Sequence, residues 1–379
     1  MISRPPRPLM EIVAEIEDPR AARGRRHSLG AILGLVCVAT LCGYRSYSAM
    51  AEWGHNYGGE IMTRLGFGHA PPCAATLHRV LRDLDRAQVE RAVGAWAQGV
   101  LAALLRENGV EAIAIDGKRL RGSYKQGAPC THVLSAVSQR LGLTLTQEGV
   151  ARKTNEITAV QRVLRGLVLE GRVVTVDALL TQRAIARTIV ERGGAYVMVA
   201  KDNQAGLRKA IAGLLITPAS VPGVSPVRQA TTVNRGHGRQ EERTLRVRTL
   251  LPGDCDWPGA QGVFQITRRR TRLRTGEASH ESIEGVTSLS EDAASPEALL
   301  HVLRGHWHIE NKVHGIHDVT FDEDRSPVRC GSIPHVMAVL RATMIGLVHL
   351  SGSTNVAATC RRHAAQPWRA LALIGLARE

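Results

Sequence analysis

Three carboxylates in this sequence sit where a chain could hold metal ions against a phosphate. The run Ile113-Ala114-Ile115 reads as a short strand of β-branched residues and ends at Asp116, and Gly117 with Lys118, Arg119 and Arg121 follows at once. A sheet can hold such an acid rigidly, and the basic side chains suit a polyanion. Asp-Gly is also a common hairpin turn. The segment Arg172-Val173-Val174-Thr175-Val176-Asp177 repeats the theme, a short apolar strand ending in an aspartate, with a helix-capping turn acid as the plain alternative. The third acid is Glu310, on a helix expected over Ala298–Val313, where His306 would lie one turn away on the same face. Two divalent cations close together need shared carboxylates of this kind, one metal activating the attacking water or 3′-hydroxyl and the other stabilising the leaving oxygen. Mg²⁺ suits the role because it prefers oxygen ligands and keeps positions open for phosphate and water, and Mn²⁺ can substitute.

The elements that would position these acids form a mixed chain. Residues 1–27 are polar and basic, with a turn at Asp18-Pro19-Arg20 and with Arg23, Arg25, Arg26 and His27 as an arm for DNA phosphates. Ser28 is placed to cap the helix that follows. Apolar spacing of three and four over Thr76–Leu84 and Val89–Leu105 marks an all-helical N-terminal domain over 1–108, expected to bind DNA. From 109 to 216 the texture becomes α/β. Strands are expected at 113–115, 132–137 and 143–145, then a helix from about 158 to 167 with Thr154 or Asn155 as its cap. A βαβ unit comes next: strand 172–176, helix 181–192 stopped by Gly193-Gly194, and strand 195–201. Residues 217–292 read as a β-rich basic insertion, in which Arg268, Arg269, Arg270, Arg272 and Arg274 form an extended cationic segment able to track a backbone. Residues 293–350 carry the last acid and close the core, and 351–379 are a tail.

Composition narrows the partners. The chain has 379 residues, with 49 Lys and Arg against 34 Asp and Glu, and this surplus of +15 points to nucleic acid or another anionic surface. Aromatics at 3% disfavour a protein that stacks single-stranded bases, so double-stranded DNA held through its phosphates is expected. Seven scattered cysteines without a Cys-x-x-Cys pair read as free thiols of a reducing cytoplasm. The apolar run Leu29–Gly43 follows a basic stretch as a signal peptide would, yet acids precede it and it is too short to span a bilayer. A buried helix and no membrane association are the expectation.

Six short motifs in one order carry a family resemblance. They are Ala114-Ile115-Asp116-Gly117-Lys118 with Arg121-Gly122; Lys153 with Asn155-Glu156-Ile157; Val174-Thr175 with Asp177-Ala178; Lys201 with Asn203-Gln204; His237-Gly238-Arg239 with Glu241 and Arg243; and His306-Trp307 with Ile309-Glu310-Asn311. Together they resemble the DDE transposases of bacterial insertion sequences, in the H-repeat-associated, ISAs-type family, from Asp18 to about residue 348.

The resemblance implies an α/β RNase H-like catalytic core with a β-rich insertion, preceded by the helical domain, with Asp116, Asp177 and Glu310 as the metal-binding triad. It implies hydrolytic nicking at transposon inverted-repeat ends, then attack of the freed 3′-hydroxyls on target DNA, by a homodimer in the DNA complex. Lys118, Arg119, Arg121, Lys153, Asn155, Lys201, Asn203, Gln204, His237, Arg239, Arg243, Arg304, His306, Trp307 and Asn311 are the DNA-contact candidates. The sequence departs from the family at Gly315 and His317, where a tryptophan and a leucine are expected, and at Asp202, where a glycine is usual. An inactive, repurposed DNA-binding regulator and an RNase H-like structure-specific nuclease are the alternative readings. A zinc site on His301, His306, His308, His314 and His317 lacks the cysteine pair or closed spacing such sites need.

Overall fold

The structure, a computed structural model, describes residues 7–23, 25–57, 59–104, 111–124, 130–150, 156–307 and 309–377. The described chain divides into two compact units, the first from within 1–109, 117–167 and 308–379, the second from within 110–116 and 168–307. Lys153 and Asn155, with the cap expected at Thr154 or Asn155, lie outside the described residues, as does His308.

The first unit opens with helices α1 (Leu9–Ala14), α2 (Leu29–Leu41), α3 (Tyr47–Asn56), α4 (Glu60–Arg64), α5 (Ala74–Asp83) and α6 (Arg86–Leu104). Ser28 caps α2 through a hydrogen bond accepted from the Ala31 amide, as the sequence indicates. Every residue of α2 except Gly30 is buried, because a helix apolar all round is stable only inside a core. The apolar run is therefore a core helix. Strand β1 (Glu111–Leu120) crosses from the second unit into the first, and in the first unit its last residues lie beside β2 (Thr131–Ser138), which pairs antiparallel with β3 (Thr144–Val150). Helix α7 (Glu156–Arg165) follows.

The second unit holds the larger sheet. β1 pairs in parallel with β4 (Arg172–Val176), and β4 with β5 (Ala195–Ala200), the two joined by α8 (Arg183–Glu191) as the βαβ unit expected. After α9 (Ala205–Ile216) come four long antiparallel strands, β6 (Val227–Gly236), β7 (Arg239–Thr249), β8 (Gly262–Arg272) and β9 (Ala278–Thr287). They extend the same sheet, since β9 adds antiparallel to β5, giving the order β1-β4-β5-β9-β8-β7-β6. Alternation along β8 sends Phe264 to one face and Val263 to the other. Phe264 packs with Val173, Leu245 and with Leu299, Leu300 and Leu303 of α10 (Pro296–His306). Val263 packs with Ile211 and Leu215 of α9, so a helix covers each face.

The chain returns to the first unit through a wide turn at Glu310–His314, α11 (Gly315–Val319), α12 (Ile333–Leu350), α13 (Val356–Ala365) and α14 (Pro367–Leu373). Among the described residues α12 alone is long and apolar enough to cross a membrane, and 89% of it is buried inside the fold. All seven cysteines are free. Glu323 and Arg341 are charged groups that lie deep in this unit. Glu323 is 3% exposed and bridges His317 Nδ1 at 3.0 Å and Arg341 Nη1 at 2.9 Å, while Arg341 Nη2 donates to the Arg45 carbonyl. His317, where the family was expected to carry a leucine, is therefore a buried hydrogen-bond partner of Glu323.

Burial alone would raise the Glu323 pKa, but His317 and Arg341 together outweigh it and hold the carboxyl at about 2. Its folded value lies below the ordinary 4.5, so its stabilisation is complete above about that pH and is lost as pH falls towards 2. Glu323→Gln leaves Arg341 without its counter-charge and is expected to cost about 3 kcal/mol in urea unfolding at neutral pH. The same variant should lose less stability than wild type on acidification across that window.

Candidate active site

Two of the three acids meet by strand register. In the parallel pair of β1 and β4 the last matched residues are Ile115 and Val176, and the next residue on each strand is Asp116 and Asp177. Neighbouring strands lie about 4.8 Å apart, so the two carboxylates stand side by side where β4 ends. Both are half-buried. Alternation sets the face: Ala112 and Val173 are buried in the cluster that includes α10, and Asp116 and Asp177 follow them at even spacing. The Asp116-Gly117 pair is no hairpin turn, because β1 runs on through it to Leu120. Gly117 is needed for close approach, as a Cβ there would come within 2.7 Å of His132 Nε2.

The turn after β4 is tied down by side chains. Asp177 Oδ1 accepts from the Leu180 amide at 3.0 Å, and the Thr181 hydroxyl lies 2.6 Å from the Val199 carbonyl. Asn203 Nδ2 donates to the Ala178 carbonyl at 2.7 Å, and Gln204 Nε2 to the Thr181 carbonyl at 3.0 Å. These two amides thus brace the backbone behind Asp177. Lys201 and Asp202 beside them are exposed, and Asp202 forms an ion pair with Arg208 that offsets its added charge.

The expected continuous helix over 298–313 is broken, which changes the partners of its polar residues. Helix α10 ends at His306 with Trp307 as its C-cap, and a π-turn spans Glu310–His314. His306 and Glu310 therefore do not lie on one continuous α-helix. The His306 Nδ1 lies 2.9 Å from the hydroxyl of Thr175, a 1% exposed residue two before Asp177 on β4. Trp307 lies under two guanidinium groups, Arg243 at 5.8 Å and Arg268 at 5.4 Å from the ring centroid. Glu241 holds Arg243 at 2.8 Å, Arg270 at 3.5 Å and Arg268 at 3.6 Å, and Arg272 pairs with Glu277. Burial lowers the pKa of Arg243 despite Glu241. Arg243 is thus part of a packed framework around Trp307, with Arg304 near enough to contribute to that lowering. His237 and Gly238, at φ 49 and 71, make the tight turn between β6 and β7, with Arg239 exposed beside it.

In the first unit, Glu310 is exposed and His314 buried, with 3.6 Å between Oε1 and Nδ1. Asn311 is exposed. Lys118 is spent on Asp318 at 2.6 Å, and Arg121 lies 3.8 Å from Asp324, whereas Arg119 is exposed. His132 pairs with Glu156 at 3.2 Å, and burial, helped by Arg119 and His314, pushes its pKa down against the pull of Glu156. A separate cleft of about 590 Å³ among the N-terminal helices is lined by Arg20, Arg23, Arg26, His27, His55 and Arg79. His132 and the clasp between Thr175 and His306 were not readable as site features, because both depend on strands and helices distant in sequence.

The carboxylate donors of Asp116, Asp177 and Glu310 suit a hard divalent cation. A family model described as a transposase DDE domain matches residues 108–347. The chain belongs to the DDE transposases. A DDE_Tnp_1-associated model matches residues 10–97 ahead of it. The putative transposase YncI of Escherichia coli O157:H7 is 29% identical over 346 residues, covering 90% of this chain and 87% of that one. The H repeat-associated putative transposase YhhI of Escherichia coli K12 is 27% identical over 350 residues, covering 90% of each. An uncharacterised protein encoded in the dhlA 3′ region of Xanthobacter autotrophicus is 33% identical over 292 residues, 76% of this chain and 95% of that one. The motif resemblance to the H-repeat-associated group is borne out. This DDE transposase is an enzyme that cuts and transfers DNA strands with divalent metal.

The bond between Thr175 and His306 fastens α10 to the strand that ends in Asp177. Thr175→Val removes the hydroxyl at nearly constant shape and is expected to cost about 1–3 kcal/mol, seen as a lower Tm. Thr175→Ser keeps the hydroxyl and should lose clearly less.

Proposed function

We propose that this transposase binds the inverted-repeat ends of its own element, nicks them, and joins the freed 3′-hydroxyls to target DNA through an RNase H-like core whose triad is Asp116, Asp177 and Glu310. The observation that carries the reading is the register of β1 and β4, which brings Asp116 and Asp177 to adjacent positions on one face. Two divalent cations, Mg²⁺ with Mn²⁺ as substitute, would supply the charge that activates the attacking oxygen and stabilises the leaving one. The chain's own part is to hold and orient. Asp116 and Asp177 offer oxygens from a rigid sheet, and Glu310 adds a third carboxylate. The turn behind Asp177 is kept in place by Asn203 and Gln204.

Exposed Arg119, Lys201 and Arg239 are available to phosphates at the surface. The basic cleft among the N-terminal helices is the proposed grip on duplex DNA, since Arg23, Arg26 and Arg79 line it together. Trp307, held between Arg243 and Arg268, offers a rigid aromatic edge near a DNA end. Two ends must be joined in one event, so the working complex is proposed as a homodimer on DNA.

The test is a cleavage assay with Mg²⁺ or Mn²⁺ on duplexes carrying the inverted repeats that flank the gene. Wild type should nick at the ends, and Asp116→Ala, Asp177→Ala and Glu310→Ala should each reduce nicking about a thousandfold or more while leaving DNA binding within a few-fold. A triad variant that still cleaves at the wild-type rate defeats the assignment. Binding of the ends without cleavage by wild type would favour a repurposed DNA-binding protein.

A further inference from the structure

We propose that His314 is a ligand to the same cation as Glu310, so that this centre carries an imidazole beside its carboxylate and takes up Mn²⁺ more readily than an all-oxygen site would. The proposal rests on the reading of Glu310 as a metal ligand and goes beyond the three acids.

The argument starts from the local backbone. Glu310–His314 forms a π-turn, closed by the amide of Gly315 on the carbonyl of Glu310. Such turns are rare and recur at functional sites. Gly315 suits its closing position, because a Cβ there would press to within 3.0 Å of that same carbonyl oxygen. The departure from the expected tryptophan thus has a structural consequence.

Within the turn, Nδ1 of His314 and Oε1 of Glu310 are 3.6 Å apart. Two donors on one cation at about 2.1 Å stand about 3.0–3.4 Å from each other, so closure by a few tenths of an ångström brings both onto one ion. The His314 side chain is 4% exposed and set by packing, whereas that of Glu310 is 62% exposed, so the small adjustment falls to the carboxylate at the surface. The imidazole that sequence spacing nominates beside Glu310, His306, has its Nδ1 2.9 Å from the Thr175 hydroxyl. Imidazole nitrogen binds first-row transition ions better than it binds Mg²⁺, which holds to oxygen.

The experiment uses the full chain with a short duplex and Mn²⁺ as the probe. Pulsed electron paramagnetic resonance on bound Mn²⁺ reads directly whether a nitrogen is in its coordination shell. The expected result is Mn²⁺ binding that Glu310→Gln removes, a ¹⁴N coupling in wild type, and loss of that coupling in His314→Gln with an affinity for Mn²⁺ lower by about tenfold or more. Competition by Mg²⁺ should change less between wild type and His314→Gln. Glu310-dependent Mn²⁺ without nitrogen coupling in wild type overturns the proposal and leaves the three-acid reading standing. Mn²⁺ binding indifferent to Glu310→Gln defeats that reading as well. The wild-type spectrum decides the point even where His314→Gln folds poorly.

Discussion

The pairing of β1 with β4 is the constraint on which the rest of the second unit depends. Apolar packing fixes it: Ala112 and Val173 are buried with the α10 leucines, and a strand slipped by one residue would turn them out to the opposite face. The same register that buries them sets Asp116 and Asp177 next to each other, both on the face that α10 covers. Hydrophobic free energy therefore does the positioning that two like charges would resist. A cation shared between them would relieve that repulsion, in keeping with the metal-dependent reaction proposed.

The arginines show how a basic composition divides between surface and framework. The run from Arg268 to Arg274 reads in sequence as a solvated strip for a phosphate backbone. In the sheet, β7 lies beside it, and Glu241 is matched directly with Arg270 and within reach of Arg243 and Arg268. Two of these guanidinium groups then cover Trp307, an arrangement that desolvation strengthens. Their cost of burial is met by Glu241 and the indole face. Arg119, Lys201 and Arg239 are exposed instead. The overall charge of +15 suits attraction to a polyanion whichever of these groups is paired.

Buried polar groups in the first unit are held by pairing. Glu323 keeps its charge inside the helical core because His317 and Arg341 reach both of its oxygens. His132 is held to Glu156 across the space that Gly117 leaves open. Such groups make the packing around them specific, since each would be costly to bury alone. In Glu310–His314 the widened turn matters in the same way, because it determines which imidazole stands beside the acid.

What the sequence determined by itself is local. β-branched runs ending at Asp116 and Asp177, Ser28 as a cap, the βαβ unit, the buried α2 and the order of six motifs are all set by neighbours within a few residues, and they were enough for the family. What the tertiary structure decided is everything that needs a distant partner. β1 continues past Asp-Gly because strand neighbours pair with it. His306 meets Thr175, 131 residues away, and Glu310 lies 3.6 Å from His314. Asn203 and Gln204 brace a turn, and Arg243 lies over the Trp307 ring, contacts that sequence spacing does not announce. The physical reason is that strand propensity and capping act over short spans, whereas a side chain's partner is set by packing, which sequence spacing does not encode.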